Sequence, residues 1–190
     1  MSALRAFIAV PLPLDAIQVI RRFIQAHEAD LTRVVEARFV PATNLHVTMR
    51  FLGDTAPELR FAIRDVLAAA AREIRPLAVR IAGFGAFPNV QRARVLWVGF
   101  DEPTGALERM QRAIENGLVD LGFDAEDKPF RAHITIARVK STRNVGELSR
   151  FVETHRDEEI GATTLSEVAL FESRLRDDGP IYRALERCPL

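Results

Sequence analysis

The chain has 190 residues, 48% of them hydrophobic, enough for one compact unit with a sizeable core. Its 26 basic residues are balanced by 26 acidic ones, which excludes a global positive field of the kind that holds long duplexes through phosphate contacts alone. Cys188 is the one cysteine, so a disulfide framework and a thiolate metal cage are excluded.

Residues 4–10 read as a buried strand stopped by Pro11 and Pro13, and residues 15–31 carry apolar side chains at helical spacing. A loop around Pro41 leads to residues 45–52, which alternate. Leu45, Val47, Met49 and Phe51 fall on one face, and His46, Thr48 and Arg50 on the other. Gly53 is expected to end that strand. Pro57 suits a first helical position, and the alanine-rich run to Ile74 favours helix. Residues 77–87 and 94–100 are predicted strands with a loop at Pro88 and Asn89 between them. Pro103 is expected to open a helix to about Leu121, followed by a strand over 132–139 and a helix over 145–155. Strands over 164–172 and 181–186 close the chain, separated by the turn signal Asp177-Asp178-Gly179-Pro180. No stretch reaches the roughly 18 consecutive apolar residues of a membrane span, and the start lacks a signal-peptide pattern. A soluble, cytoplasmic protein is expected.

The two halves share this element order. His46-Val47-Thr48-Met49 returns 87 residues later as His133-Ile134-Thr135-Ile136, and Pro13 returns as Pro103. Such an offset points to internal duplication. One domain over residues 1–190 is expected, built of two pseudo-symmetric lobes near 1–90 and 91–190, with exchange of strands between them allowed.

In each tetrad, strand periodicity sends histidine and threonine to the same face while Val, Met and Ile enter the core. An imidazole titrates near neutrality, so one ring can accept a proton while the other donates one. Hydrolysis of a cyclic phosphodiester needs both roles: a base to activate water and an acid to protonate the departing sugar oxygen. The threonine hydroxyls can donate hydrogen bonds to non-bridging phosphate oxygens. Neither role calls for a metal or a cofactor.

These tetrads resemble the paired His-x-Thr-x signature of the 2H phosphoesterase superfamily, and within it the RNA 2′,3′-cyclic phosphodiesterases, long called 2′-5′ RNA ligases. Arg5-Ala6-Phe7-Ile8-Ala9-Val10, the Arg-Phe-Leu-Gly run ending at Gly53, Arg94-Val95-Leu96-Trp97-Val98-Gly99 and the segment 130–138 are similar to that branch as well. Ala132 departs from it, since relatives often carry proline before the second histidine. The resemblance implies an α+β fold with two mainly antiparallel sheets facing a central cleft and helices outside. It implies His46 as proton donor and His133 as proton acceptor on RNA or oligonucleotide 2′,3′-cyclic phosphate ends, with a 2′-phosphate as product. It also implies phosphate binding by Arg138, although strict alternation puts that side chain opposite His133, so a bulge is needed to re-aim it. Alternatives are 2′-5′ ligation of tRNA halves and a non-catalytic module that binds RNA ends. The protein is expected to act as a monomer, without metal and away from membranes.

Arg131, Lys140 and Arg143 cluster around the second tetrad and can steer an RNA end. Phe51, Phe84, Trp97 and Tyr182 are candidates for stacking on a base, with Phe51 and Tyr182 placed among the substrate-binding residues. His27 and His155 are expected at the surface. Gly83-Phe84-Gly85 lacks the third glycine and following helix of a nucleotide loop, and no serine-hydrolase or zinc-protease motif is present.

Overall fold

Period-two and helical periodicities divide the described residues of the computed structural model, 4–176 and 179–190, into nine strands and four helices. They follow as β1 (Leu4–Pro11), α1 (Leu14–Val34), β2 (Val35–Phe39), β3 (His46–Thr55), α2 (Arg60–Ala71), β4 (Leu77–Phe87) and β5 (Val95–Asp101). The chain continues through α3 (Ala106–Asp120), β6 (His133–Thr142), α4 (Val145–Thr154), β7 (Glu159–Leu165), β8 (Glu167–Arg176) and β9 (Gly179–Pro189). The α+β class holds, and every strand pairing is antiparallel.

The strands form one sheet ordered β7-β4-β5-β6-β3-β1-β8-β9, with β2 paired to the far end of β6. The two sheets read from the sequence are thus two halves of one ladder, joined at a seam where Val47 pairs with Ile134. About that seam the order reads alike in both directions: β6 answers β3, β5 answers β1, β4 answers β8 and β7 answers β9. β4, from the first half of the chain, lies beside β5, while β8, from the second half, lies beside β1 and carries β9 at its outer edge.

One face of the sheet is sealed by the helices. Ile20 of α1, Ile63 and Leu67 of α2, Leu107, Met110, Ile114 and Leu118 of α3 and Leu148 of α4 are all buried, in one cluster with Ile8, Val47, Ile134 and Ile136. Burying such side chains contributes about 1.5–3 kcal/mol each, which makes this face the source of most of the fold's stability. The opposite face of β3 and β6 stays open and carries the tetrads. None of the helices among the described residues is long and apolar enough to cross a membrane.

Several boundaries differ from expectation. Residues 35–39 and 159–163 pair as strands although neither segment alternates cleanly. Gly53 does not stop β3; it sits within it at φ 68°, where the register to β1 shifts, and a residue with a Cβ is strained in that conformation. Pro103 stands three residues before α3, whose first amides, of Ala106 and Leu107, donate to the Glu102 carboxylate. The expected turn at Asp177 and Asp178 lies outside the described residues.

Candidate active site

Pairing of Val47 with Ile134 sets the site. In an antiparallel register the neighbours of that pair lie across from each other, so His46 is set opposite Thr135 and Thr48 opposite His133. Val47 and Ile134 are fully buried and hold the floor, while the four polar side chains project, half-buried, from the other face.

The two imidazoles are anchored in the same way. His46 Nδ1 donates to the Asn44 carbonyl at 2.7 Å, and His133 Nδ1 donates to the Arg131 carbonyl at 2.7 Å, in each case two residues back along the chain. A carbonyl can only accept, so both Nδ1 atoms keep their protons and both Nε2 atoms are left for chemistry. His46 Nε2 lies 3.0 Å from Thr48 Oγ1. Aromatic rings fix the imidazoles from the side: Phe7 sits 5.0 Å from His46, and Phe87 sits 4.9 Å from His133. Phe87 in turn stacks on Trp97, whose indole fills the space a Cβ at Gly85 would occupy. That is the role of the second glycine in the Gly-Phe-Gly run.

Burial lowers the pKa of both histidines below the ordinary 6.5, against the opposing pull of the carbonyls that accept from Nδ1. The positive charge of Arg138 and that of His133 lower His46 further. Arg138 and the two rings therefore share one electrostatic neighbourhood.

Arg138 reaches this neighbourhood through a bulge. Leu96 pairs with Ala137 but Trp97 pairs with Thr135, leaving Ile136 as the extra residue, so the alternation slips and Arg138 turns to the open face. A matching bulge leaves Met49 unpaired in β3, between Ala9 opposite Thr48 and Ile8 opposite Arg50. Met49 and Ile136 are 87 residues apart, the same offset as the histidines. The slip corrects the plain alternation read from the sequence: Phe51, assigned to the core face, is 62% exposed and lines the cleft, whereas Arg50 points to the helix side and meets Glu115 of α3 at 3.1 Å. The duplicated positions thus carry an aromatic ring in one half and a guanidinium in the other.

The cleft encloses about 470 Å³ and is lined by His46, Thr48, Thr135, Arg138, Phe51 and Tyr182, among others; His133 stands beside it, two residues before Thr135. Tyr182 packs edge-on to His46 at 5.4 Å, carried by a segment that Asn44 ties down through a 2.7 Å bond from Nδ2 to the Pro180 carbonyl. Arg131 contributes its carbonyl, and its exposed side chain is not among the cleft-lining groups. Lys140 pairs with Glu36 and Arg143 donates to the Thr32 carbonyl, so both are engaged away from the rings. Phe84 is core, at 2% exposure.

Sequence reading missed Asn44, Phe7, Phe87 and Arg38. Arg38 also lines the cleft, and its Cα pairs with that of Arg138. Only the offset of Asn44 and Arg131 from their histidines, two residues in each case, carried a signal for any of them. His27 and His155, expected at the surface, are half-buried against each other on the helix side, with ring centroids 4.5 Å apart.

The profile of the 2′-5′ RNA ligase superfamily matches residues 10–177. Among curated proteins, the chain is 32% identical over 185 residues to the RNA 2′,3′-cyclic phosphodiesterase of Methanothermobacter thermautotrophicus, covering 96% of each sequence. It is 34% identical over 151 residues to the protein of that name from Aeropyrum pernix, covering 80% of this chain and 85% of the relative. Among solved structures, TT0787 of Thermus thermophilus superimposes with a TM-score of 0.78 at 27% identity, over 98% of this chain and 97% of the other. E. coli LigT complexed with 3′-AMP superimposes with a TM-score of 0.75 at 22% identity, over 99% and 98%, a likeness of fold.

Proposed function

Since the chain belongs to the 2′-5′ RNA ligase superfamily, we propose that it is an RNA 2′,3′-cyclic phosphodiesterase that opens a terminal cyclic phosphate to a 2′-phosphomonoester. The observation that carries this reading is the pair of imidazoles anchored identically through Nδ1, each with Nε2 left to exchange a proton with substrate.

Water is deprotonated by His133 as its oxygen bonds to phosphorus. The bond from phosphorus to the 3′ oxygen breaks, and that oxygen leaves with the proton held on His46. The product has a 2′-phosphate and a 3′-hydroxyl, and one further proton exchange with solvent resets both rings. Thr48 and Thr135 donate to the non-bridging oxygens, whose charge grows as the five-coordinate state forms. Arg138 balances that charge, and its field keeps His46 a willing donor. Phe51 and Tyr182 offer faces and edges to the terminal base.

The test is turnover of an oligoribonucleotide ending in a 2′,3′-cyclic phosphate, in the presence of EDTA. The expected product is the 2′-monophosphate alone. His46→Ala and His133→Ala are each expected to lower the rate by about 10²-fold or more while the protein stays folded. Tight binding of the cyclic end without any product would instead identify a recognition module.

A further inference from the structure

On the helix side of the sheet, remote from the tetrads, His27, His155 and Glu158 bring one ligand atom each to within 4.8 Å of one another. We propose that these three side chains form a Zn²⁺ site that ties α1 to the turn after α4.

The donor set is the first argument. Two imidazoles and a carboxylate, with a fourth position for water, is a combination that suits zinc. Bonds of about 2 Å in a tetrahedron place ligand atoms roughly 3.3 Å apart, so the widest pair must close by about 1.5 Å or less around an ion while the hydrogen-bonded His155 and Glu158 atoms move apart. Glu158 is exposed and free to make that adjustment.

Preorganisation is the second. The turn carrying two of the ligands is fixed to β4 by main-chain bonds: Phe84 N–H donates to the His155 carbonyl and Gly83 N–H donates to the Glu158 carbonyl, both at 2.9 Å. Gly83 stands at φ 81°, and a Cβ there would lie 2.6 Å from the Arg156 carbonyl oxygen. The glycine is therefore what lets this turn dock. His155 Nδ1 already donates to the Glu158 carboxylate, which orients both groups.

The surroundings are the third. The rings of Phe23 and Phe151 flank the histidines at 4.7 Å from His27 and 4.2 Å from His155 respectively. Such an apolar wall lowers the local dielectric and strengthens the bond between a cation and its ligands. An open groove beside His155, lined by Asp30, Glu147 and Thr154 among others, gives ions and water access.

The experiment uses full-length protein stripped with EDTA and titrated with Zn²⁺ against a chromophoric chelator. One equivalent is expected to bind, with a rise in Tm. His27→Ala and Glu158→Gln are each expected to weaken binding by about tenfold or more. Co²⁺ is expected to give the intense visible absorption of a tetrahedral site in the wild type and in the His46→Ala/His133→Ala double variant, and to lose it in His27→Ala. Absence of any bound Zn²⁺ would overturn the proposal. So would binding that survives both His27→Ala and Glu158→Gln, or that disappears with the tetrad histidines. Should His27→Ala fail to fold, Glu158→Gln decides, because its side chain is exposed. Phosphodiesterase activity in EDTA is expected to persist in either case, so failure of the metal site and failure of the proposed function are read separately.

Discussion

Val47 faces Ile134 across the seam between β3 and β6, both fully buried, and each directly follows a histidine. The spacing of the two imidazoles is thereby tied to the packing of two aliphatic side chains on the far side of the backbone. Ile134→Ala is expected to cost about 2–5 kcal/mol of stability through lost burial and the cavity left behind. Because the seam sets the spacing of the two imidazoles used in the proposed mechanism, kcat is also expected to fall by about tenfold or more under conditions where the variant is folded. Leu67→Ala in α2, equally buried, is the control and should lose comparable stability with kcat unchanged. Denaturant titration and steady-state kinetics on both variants separate the effects; equal kcat in the two would make the seam ordinary core.

Arg38 and Arg138 are Cα partners across the β2·β6 ladder and both line the cleft. Like charges directly opposite each other destabilise a sheet by a few tenths of a kcal/mol, a repulsion that an anion bound in the cleft would offset. Arg138 acts on His46 and Arg38 does not, so under the proposed function Arg38 is assigned to a phosphate other than the cyclic one. Arg38→Gln is expected to leave Tm level or slightly higher. It should raise KM for an oligonucleotide 2′,3′-cyclic phosphate by about tenfold, with kcat within about twofold and a cyclic mononucleotide unaffected. A parallel loss on the mononucleotide would place Arg38 at the scissile phosphate instead.

Both tetrad histidines have lowered pKa values, so the folded protein binds fewer protons there than the unfolded chain between the lowered values and 6.5. Stability from these groups is therefore fully present above 6.5 and is lost as pH falls through that window. With His46 as the proposed proton donor, its protonated form is depleted early as pH rises, and kcat/KM is expected to peak on the acid side of 6.5. Arg138→Gln removes a positive charge that lowers His46, so the His46 titration followed by NMR should move upward and the alkaline limb of kcat/KM with it. An unmoved His46 titration in that variant would separate Arg138 from the ring.

Clean periodicity made much of the fold legible. The helix over 106–120 buries Leu107, Met110, Ile114 and Leu118 at helical spacing, and the histidine strands alternate up to their threonines. Past the threonines the reading fails at Met49 and Ile136, because a bulge is set by how a strand registers against its partner, and nothing in the strand's own alternation records it. The need for such a bulge at Arg138 was visible only because the resemblance and the alternation disagreed. Its twin at Met49 raised no such conflict, and Arg50 and Phe51 exchange faces there. The His27 and His155 pair is illegible for another reason. The residues are 128 positions apart, and what unites them is the docking of a turn on β4 through Gly83.

The exchange of Arg50 for Phe51 has an energetic consequence of its own. Turned to the helix side, the Arg50 side chain is 11% exposed, contacts Glu115 at 3.1 Å and Glu126 at 2.8 Å, and donates to the Asp124 carbonyl. It thereby clamps the segment between α3 and β6, the segment that leads to His133. Removing one partner of a largely buried ionic cluster leaves the others desolvated and unpaired, at a cost of about 3 kcal/mol. Arg50→Ala is accordingly expected to lower Tm by about 6–12 °C for a chain of this size. Arg50→Met keeps the aliphatic packing but not the charge, and is expected to remain as unstable as the alanine variant, since Glu115 and Glu126 are stranded in either case. If methionine restores Tm, packing of the stem rather than the ionic cluster holds the segment, and the carboxylates are solvated well enough to stand alone.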